Sequence, residues 1–326
     1  MKKCNATKAG PAPPEVREAI MDRRMFLRGA SALPLALPAS VALAQTTKVA
    51  IGYPTSSDFL PALVAKEKGF FEKQGIDAVM TRVPLINNIP AAMMSGDLQI
   101  GAATPPTFLQ AVDGGLDLLL IASAARHQKD LPSKSLVVRK GFKYERPEDL
   151  KGAKIGVAGL KSSMDILLRR WLKIKGLDPR DMTFIEAQFP QMPDLLRGGT
   201  LDAVTVTEPI RTIILKSGTG VIAAEYFAEV SPDFMVTNWM ATSDYAKKNP
   251  RVIEGFRNAL EEAIVYIKAN EAECREIEKK NFNVAAPEFP TLVAKAAPGD
   301  LQLWIDIGKE QGLYRSSLDA SKLVLK

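Results

Sequence analysis

The residues best placed to do chemistry are two serine pairs. Ser56-Ser57 closes the stretch KVAIGYPTSS (48–57), and Ser162-Ser163 closes KIGVAGLKSS (154–163). The two stretches align without a gap, 106 residues apart. Each is a short apolar run, a turn, and the start of a helical pattern that ends near a glycine, Gly75 or Gly176. At such a turn a serine hydroxyl caps its own helix or donates to an anion, while the helix N-terminus adds free N–H groups and the positive end of a dipole. The chemistry on offer is anion capture. Bond-making has less to work with. His127, in AARHQKD, is the only histidine, so a Ser-His-Asp triad would have to use it; its polar surroundings predict a loop position, at the surface or as a local hydrogen-bond donor. No G-x-S-x-G elbow, P-loop or G-x-G-x-x-G occurs, and no Cys/His cluster has metal-ligand spacing. Neither a metal nor a cofactor is expected.

Turns of this kind need strands behind them. Apolar runs at 48–52, 78–83, 98–102, 118–123, 136–139, 154–158, 183–186, 203–206, 221–224 and 235–242 are predicted strands, most of them followed by helical patterns. The alternation predicts an α/β protein with largely parallel sheets. A second internal match supports a repeat: GDLQIGAATP (96–105) resembles GTLDAVTVTEP (199–209), 103 residues apart, with Glu208 as the extra residue before the proline. Two matches in the same order predict two similar lobes, each presenting a serine pair to a shared cleft beyond the carboxyl ends of its strands. The joints are expected near 137–143 and 229–236. Two crossings make lobe 1 discontinuous, 46–138 plus 233–326, with lobe 2 at 139–232, and two crossings are what a hinge needs. Beyond Pro250, VIEGFRNALEEAIVYIKAN puts Ile253, Phe256, Leu260, Ile264 and Ile267 on one helical face, a core-facing stripe.

Residues 1–44 stand apart. DRRMFLRGASALPLALPASVALAQ (22–45) has a basic start, an apolar middle of about 16 residues, and small residues at Ala42 and Ala44, the layout of a cleavable export signal. The middle is short for a transmembrane helix, which needs roughly 20 apolar residues. Arg23-Arg24-Met25-Phe26-Leu27-Arg28 resembles the twin-arginine export motif; a general-secretion signal is the alternative, and Met21 is an alternative start. Cleavage is expected near Ala44, and the location periplasmic. The whole chain carries a net charge of +6, but 1–44 hold seven Lys/Arg and three Asp/Glu, so the remainder is close to balanced. That balance argues against nucleic acid and against an anionic membrane surface. Of the two cysteines, Cys4 lies in the leader; Cys274 is left alone, with no intrachain disulfide and no lipid attachment after the cleavage site.

Six stretches, AKEKGFFEKQGIDAVM, MMSGDLQIGAA, EDLKGAKIGVAG, LKIKGLDPRDMTF, LRGGTLDAVTVTEP and ATSDYAKKNPRVIEGF, occur in this order over nearly the whole chain beyond the leader. Together they resemble the solute-binding proteins of ABC importers in the nitrate/sulfonate/taurine class, which share a family with binders of thiamine-pyrimidine precursors. The resemblance implies a type II periplasmic binding protein fold, a monomer of two α/β lobes with a hinge and a ligand cleft, and a membrane permease with its ATPase as partners. It implies a lining of Tyr53, Thr55, Ser56 and Ser57 from the first loop, Asn87 and Asn88 after the second strand, and Thr104 and Thr107 after the third. Lobe 2 would add Lys161, Ser162, Ser163, Thr207 and Glu208, and the returning strand Trp239. Lys161 would bring a full positive charge to a helix N-terminus; Glu208 would read an amine, hydroxyl or ring N–H, or else brace the turn at Pro209. Thr207 departs from the aromatic common in that place, and the first loop lacks the tryptophan often seen in sulfonate binders. Sulfonate, taurine, nitrate, an aromatic acid and a pyrimidine precursor therefore all stay open as solutes. An enzyme on the same fold is the competing class; the related pyrimidine synthases carry a cysteine cluster and functional histidines that this chain lacks.

Overall fold

The computed structural model describes residues 46–326, so the export signal and its cleavage point lie outside the described residues. Eleven strands are described: β1 (Thr47–Tyr53), β2 (Ile76–Arg82), β3 (Ile100–Ala103), β4 (Leu118–Gln128), β5 (Lys134–Arg139), β6 (Lys154–Val157), β7 (Thr183–Glu186), β8 (Ala203–Thr207), β9 (Gly220–Ala224), β10 (Asp233–Thr242) and β11 (Thr291–Leu292). All ten predicted strands are present; the two-residue β11 had no signal of its own.

The strands form two sheets, ordered β11-β4-β10-β3-β1-β2 and β7-β6-β8-β5-β9. Read from β2, the first runs β2-β1-β3-β10-β4, the same arrangement as the second. β1 and β6 occupy equivalent places, as do β3 and β8, so the sequence repeat is also a repeat of topology. Parallel pairing holds only in the trios β2-β1-β3 and β7-β6-β8. β10 and β5 each insert antiparallel beside their trio, and the sheets are mixed rather than largely parallel. Each of these inserted strands follows a crossing between the sheets. The chain changes sheet between Gln128 and Lys134 and returns at Asp233; the stretch 137–139, expected at a joint, continues β5 in the second sheet. The reason is pairing: Lys134 already stands opposite Thr207 at the end of β8.

Burial follows the apolar periodicity. Val49, Ile51 and Tyr53 of β1, which alternate onto one face of the sheet, are buried. Along the helix Pro250–Ala269 the stripe Ile253, Phe256, Leu260, Ile264 and Ile267 is buried throughout, each side chain contributing roughly 1.5–3 kcal/mol. Phe256 stacks on Phe71 and meets the edge of Trp239. His127 departs from expectation. β4 runs on to Gln128 because β10 pairs alongside it, Phe234 opposite His127, so the imidazole lies in the strand, buried between Phe227 and Phe234.

Candidate functional site

A cleft of about 40 Å³ lies between the two sheets, where the turns after β1, β3, β6 and β8 converge with the start of β5 and the middle of β10. Its hydroxyls are those of Ser56, Thr104, Ser162, Ser163, Thr207 and Thr237, and its apolar wall includes Phe59, Ile86, Met164, Phe189 and Val236. Its charged groups are Asp58 and Lys134.

Three of the hydroxyls are helix N-caps, and they are not equivalent. Ser56 precedes the short helix Ser57–Phe59, and its Oγ accepts from the Asp58 N–H at 3.3 Å. The Ser57 N–H donates to the Glu208 carbonyl at 3.0 Å, and the Phe59 N–H to the Ser56 carbonyl at 3.2 Å. That turn has spent its donors. Thr104 caps the helix Pro105–Asp113, where Pro105 and Pro106 carry no N–H and the Thr107 N–H goes to Thr104 Oγ1 at 3.3 Å. Ser162 precedes the helix Ser163–Ile174, and its side chain caps nothing. The amides of Ser163 and Met164, in the first turn, have no acceptor within the helix. On the same lining Thr207, 2% exposed at the end of β8, has a hydroxyl without a partner. The expected symmetry between the serine pairs is broken: donors remain at the second pair alone.

Of the fourteen residues inferred from sequence, Ser56, Thr104, Ser162, Ser163 and Thr207 line the cleft. The others stand around it or behind it. Ser57 Oγ turns away to donate to Glu278. Thr107 hydrogen-bonds Thr104 and, at 3.3 Å, Asn87 Oδ1. Tyr53 and Trp239 are core residues; Trp239 meets the edge of Phe59 at 5.0 Å between centroids and so backs the cleft wall. Thr55 is buried outside the lining, and Asn88 is exposed at the start of the helix Ile89–Met94. Lys161 is also exposed, in a left-handed conformation (φ 61°), with its side chain off the lining. Glu208, joined to Pro209 by a cis peptide, accepts from Arg211 Nη1 and from the Thr212 N–H, each at 3.2 Å. These bonds brace the start of the helix Ile210–Lys216.

Sequence reasoning missed the charges that do face the cleft. Lys134 Nζ lies 2.9 Å from Asp58 Oδ1, each side chain 2% exposed, and Thr237 Oγ1 donates to Asp58 Oδ2 at 3.3 Å. The pair bridges the sheets and is neutral as a unit. A lysine opening an apolar strand gives no sign of which way it points, and its partner lies 76 residues away. Two further carboxyls sit behind the lining. Burial pushes the pKa of Glu278 up, against the opposing hydrogen bonds of Ser57 and the Ala286 N–H. Burial likewise pushes Asp165 up, opposed by Arg169 at 2.7 Å and by the Lys161 N–H. Among the described residues no group of three or more His, Cys, Asp or Glu is placed to hold a metal.

The rim is tied across the two sheets. Asn87 Nδ2 donates to the Leu160 carbonyl at 3.0 Å and to Glu186 at 3.3 Å, and Gln110 Nε2 donates to the Lys161 carbonyl at 2.8 Å. Gly159 allows this approach, since a Cβ there would lie 3.0 Å from Asn87 Oδ1. Arg170 reaches Glu310 at 2.7 Å on the far side.

This architecture has known counterparts. The profile described as NMT1/THI5 like matches residues 56–274. The nitrate/nitrite binding protein NrtA of Nostoc sp. (strain PCC 7120) is 27% identical over 75% of this chain; the chain spans 60% of that protein's length. The taurine-binding periplasmic protein of Escherichia coli (strain K12) is 27% identical over 69% of this chain and 68% of its own. Among solved structures, the alkanesulfonate-binding protein SsuA from Xanthomonas axonopodis pv. citri superposes with a TM-score of 0.75 at 18% identity, covering 86% of this chain and 99% of that one. The desulfurization enzyme DszB superposes with a TM-score of 0.61 at 14% identity, covering 85% and 96%. At such identities the likeness of structures speaks for the fold: a periplasmic binding protein fold of mixed α/β sheets.

Proposed function

This chain belongs to the NMT1/THI5-like family, and from that premise and the cleft we propose that it is the extracytoplasmic solute-binding subunit of an ABC importer. It captures a small anionic or zwitterionic solute between two lobes and delivers it to a permease driven by its ATPase. The lobes follow the sheets: one carries β1–β4, β10 and β11, the other β5–β9, and the crossings at 129–133 and 225–232 are the hinge. The protein works in the periplasm as a monomer, exported by the cleavable signal at 1–44.

The observation that carries this reading is the Thr207 hydroxyl, buried without a partner on the same cleft lining as the open first turn of the helix Ser163–Ile174. A buried donor left unsatisfied costs roughly 1–3 kcal/mol, and a bound anion would recover it. Solute in the cleft adds contacts to both lobes at once and so favours the closed form, which is the form the transporter reads. The test is a thermal-shift screen of the chain from 45 onward against small anions and zwitterions, with the hit recovered and identified after incubation. A ligand held at 100 times its Kd stabilises by about 2.7 kcal/mol. Recovery of the compound unchanged supports a binder; recovery of a product assigns the chain to the enzymes on this fold.

A further inference from the structure

Resting on that reading, we infer that the cleft selects a monoanion with a short, uncharged, apolar body, and that it discriminates against inorganic oxyanions and against solutes bearing an ammonium group. The charged head belongs at the helix Ser163–Ile174. Of the three hydroxyl N-caps on the cleft, Ser162 alone has a side chain that caps nothing, over amides with no acceptor, and the unpartnered Thr207 hydroxyl lies on the same lining. At Ser56 the amides are consumed by Glu208 and Ser56 itself, and at Thr104 two prolines remove them. One donor cluster serves one anionic group. Lys134 supplies no further positive charge, because Asp58 already neutralises it at 2.9 Å.

The same pair decides against a cation. An ammonium brought into the cleft would need a carboxylate, and Asp58 is matched to Lys134 and Thr237. Glu208 is off the lining and held by Arg211 and Thr212, and Asp165 is held by Arg169. What remains for the rest of the solute is the wall of Phe59, Ile86, Met164, Phe189 and Val236, which an apolar body satisfies and nitrate leaves uncovered. Size follows from the volume. The cleft measures about 40 Å³, on a scale where one water needs about 10–15 Å³ and fills about 30 Å³ of liquid. That is room for about three waters, or a solute of roughly five to seven non-hydrogen atoms.

Two isosteric pairs test this by calorimetry on the chain from 45 onward: propane-1-sulfonate against taurine, and pentanoate against 4-aminobutanoate, with nitrate as the inorganic arm. Each pair exchanges a methyl for an ammonium at constant shape, and the two heads separate sulfonate from carboxylate. The expected result is that at least one methyl-ended compound binds about tenfold or more tightly than its amino isostere and than nitrate. Thr207→Val should weaken that compound about tenfold, and Thr207→Ser should restore it. Taurine, 4-aminobutanoate or nitrate binding as tightly or more tightly overturns the inference while leaving the solute-binding reading intact. An unchanged affinity in Thr207→Val overturns the placement of the head. Binding of none of the five sinks the inference; the broader screen then decides the solute-binding reading separately.

Discussion

Replacing Lys134 by methionine keeps the length of the side chain and removes its charge. In the folded protein this strands the Asp58 side chain, 2% exposed, with the Thr237 hydroxyl at 3.3 Å as its one remaining side-chain partner. Breaking one member of a buried pair costs roughly 3–5 kcal/mol, because the surviving charge stays desolvated and unmatched. Unfolding entropy near 60 °C is about 2.1 cal/mol/K per residue, so roughly 280 residues give about 0.6 kcal/mol/K, and the penalty becomes a fall in Tm of about 5–9 °C. Adding Asp58→Leu removes the stranded charge as well. The double variant should recover most of the loss, since exchanging a whole buried pair for apolar groups is near neutral or stabilising. Scanning calorimetry of the four proteins (parent, two singles and double) reads the coupling directly. A loss of less than about 2 °C in Lys134→Met would mean instead that water reaches the pair and that the cleft floor is not closed around it.

His127 is held down to a pKa of about 4 by burial, with the charge of Lys134 adding and that of Asp233 opposing. The folded state resists the proton that the unfolded chain accepts near 6.5, so this contribution is full above about pH 6.5 and is lost as the pH falls toward 4, about 3 kcal/mol in all. His127→Phe should flatten the stability profile in that window relative to the parent, and superimposable profiles in urea titrations would contradict it. Asn87→Ala removes the rim bonds to Leu160, Glu186 and Thr107. At about 1 kcal/mol for the partly exposed set, the closed form should lose about fivefold in population. A larger radius of gyration for the variant checks this, and identical scattering curves would not allow it.

Much of the fold was legible because its signals are local. The ten runs of apolar residues, the stripe from Ile253 to Ile267 and the two serine pairs each sit within a few residues of chain. The repeat of topology was legible for the same reason, since β1 and β6 open equivalent units. What was not legible depends on partners far along the chain. β5 and β10 insert antiparallel between strands they do not follow, and no periodicity marks such a neighbour. His127 is buried because β10 lies beside it, although its own neighbours in sequence are polar. At the site, five of the fourteen inferred residues reach the lining, all of them hydroxyls at the ends of strands or the starts of helices. Lys161 and Glu208 carried the electrostatic argument from sequence, and the fold uses neither on the lining. Lys161, in a left-handed conformation, is exposed and off the lining, and Glu208 is engaged by Arg211. The charge at the cleft belongs instead to Asp58 and Lys134, whose meeting only the assembled sheets bring about.

The proposed closure of the two lobes on a small solute changes the shape of the protein. Small-angle scattering of the chain from 45 onward, titrated with the compound that gives the largest thermal shift, tests it most directly. The radius of gyration should fall with added solute and reach half its change at the calorimetric Kd. Tight, saturable binding with a scattering curve that does not move would contradict it.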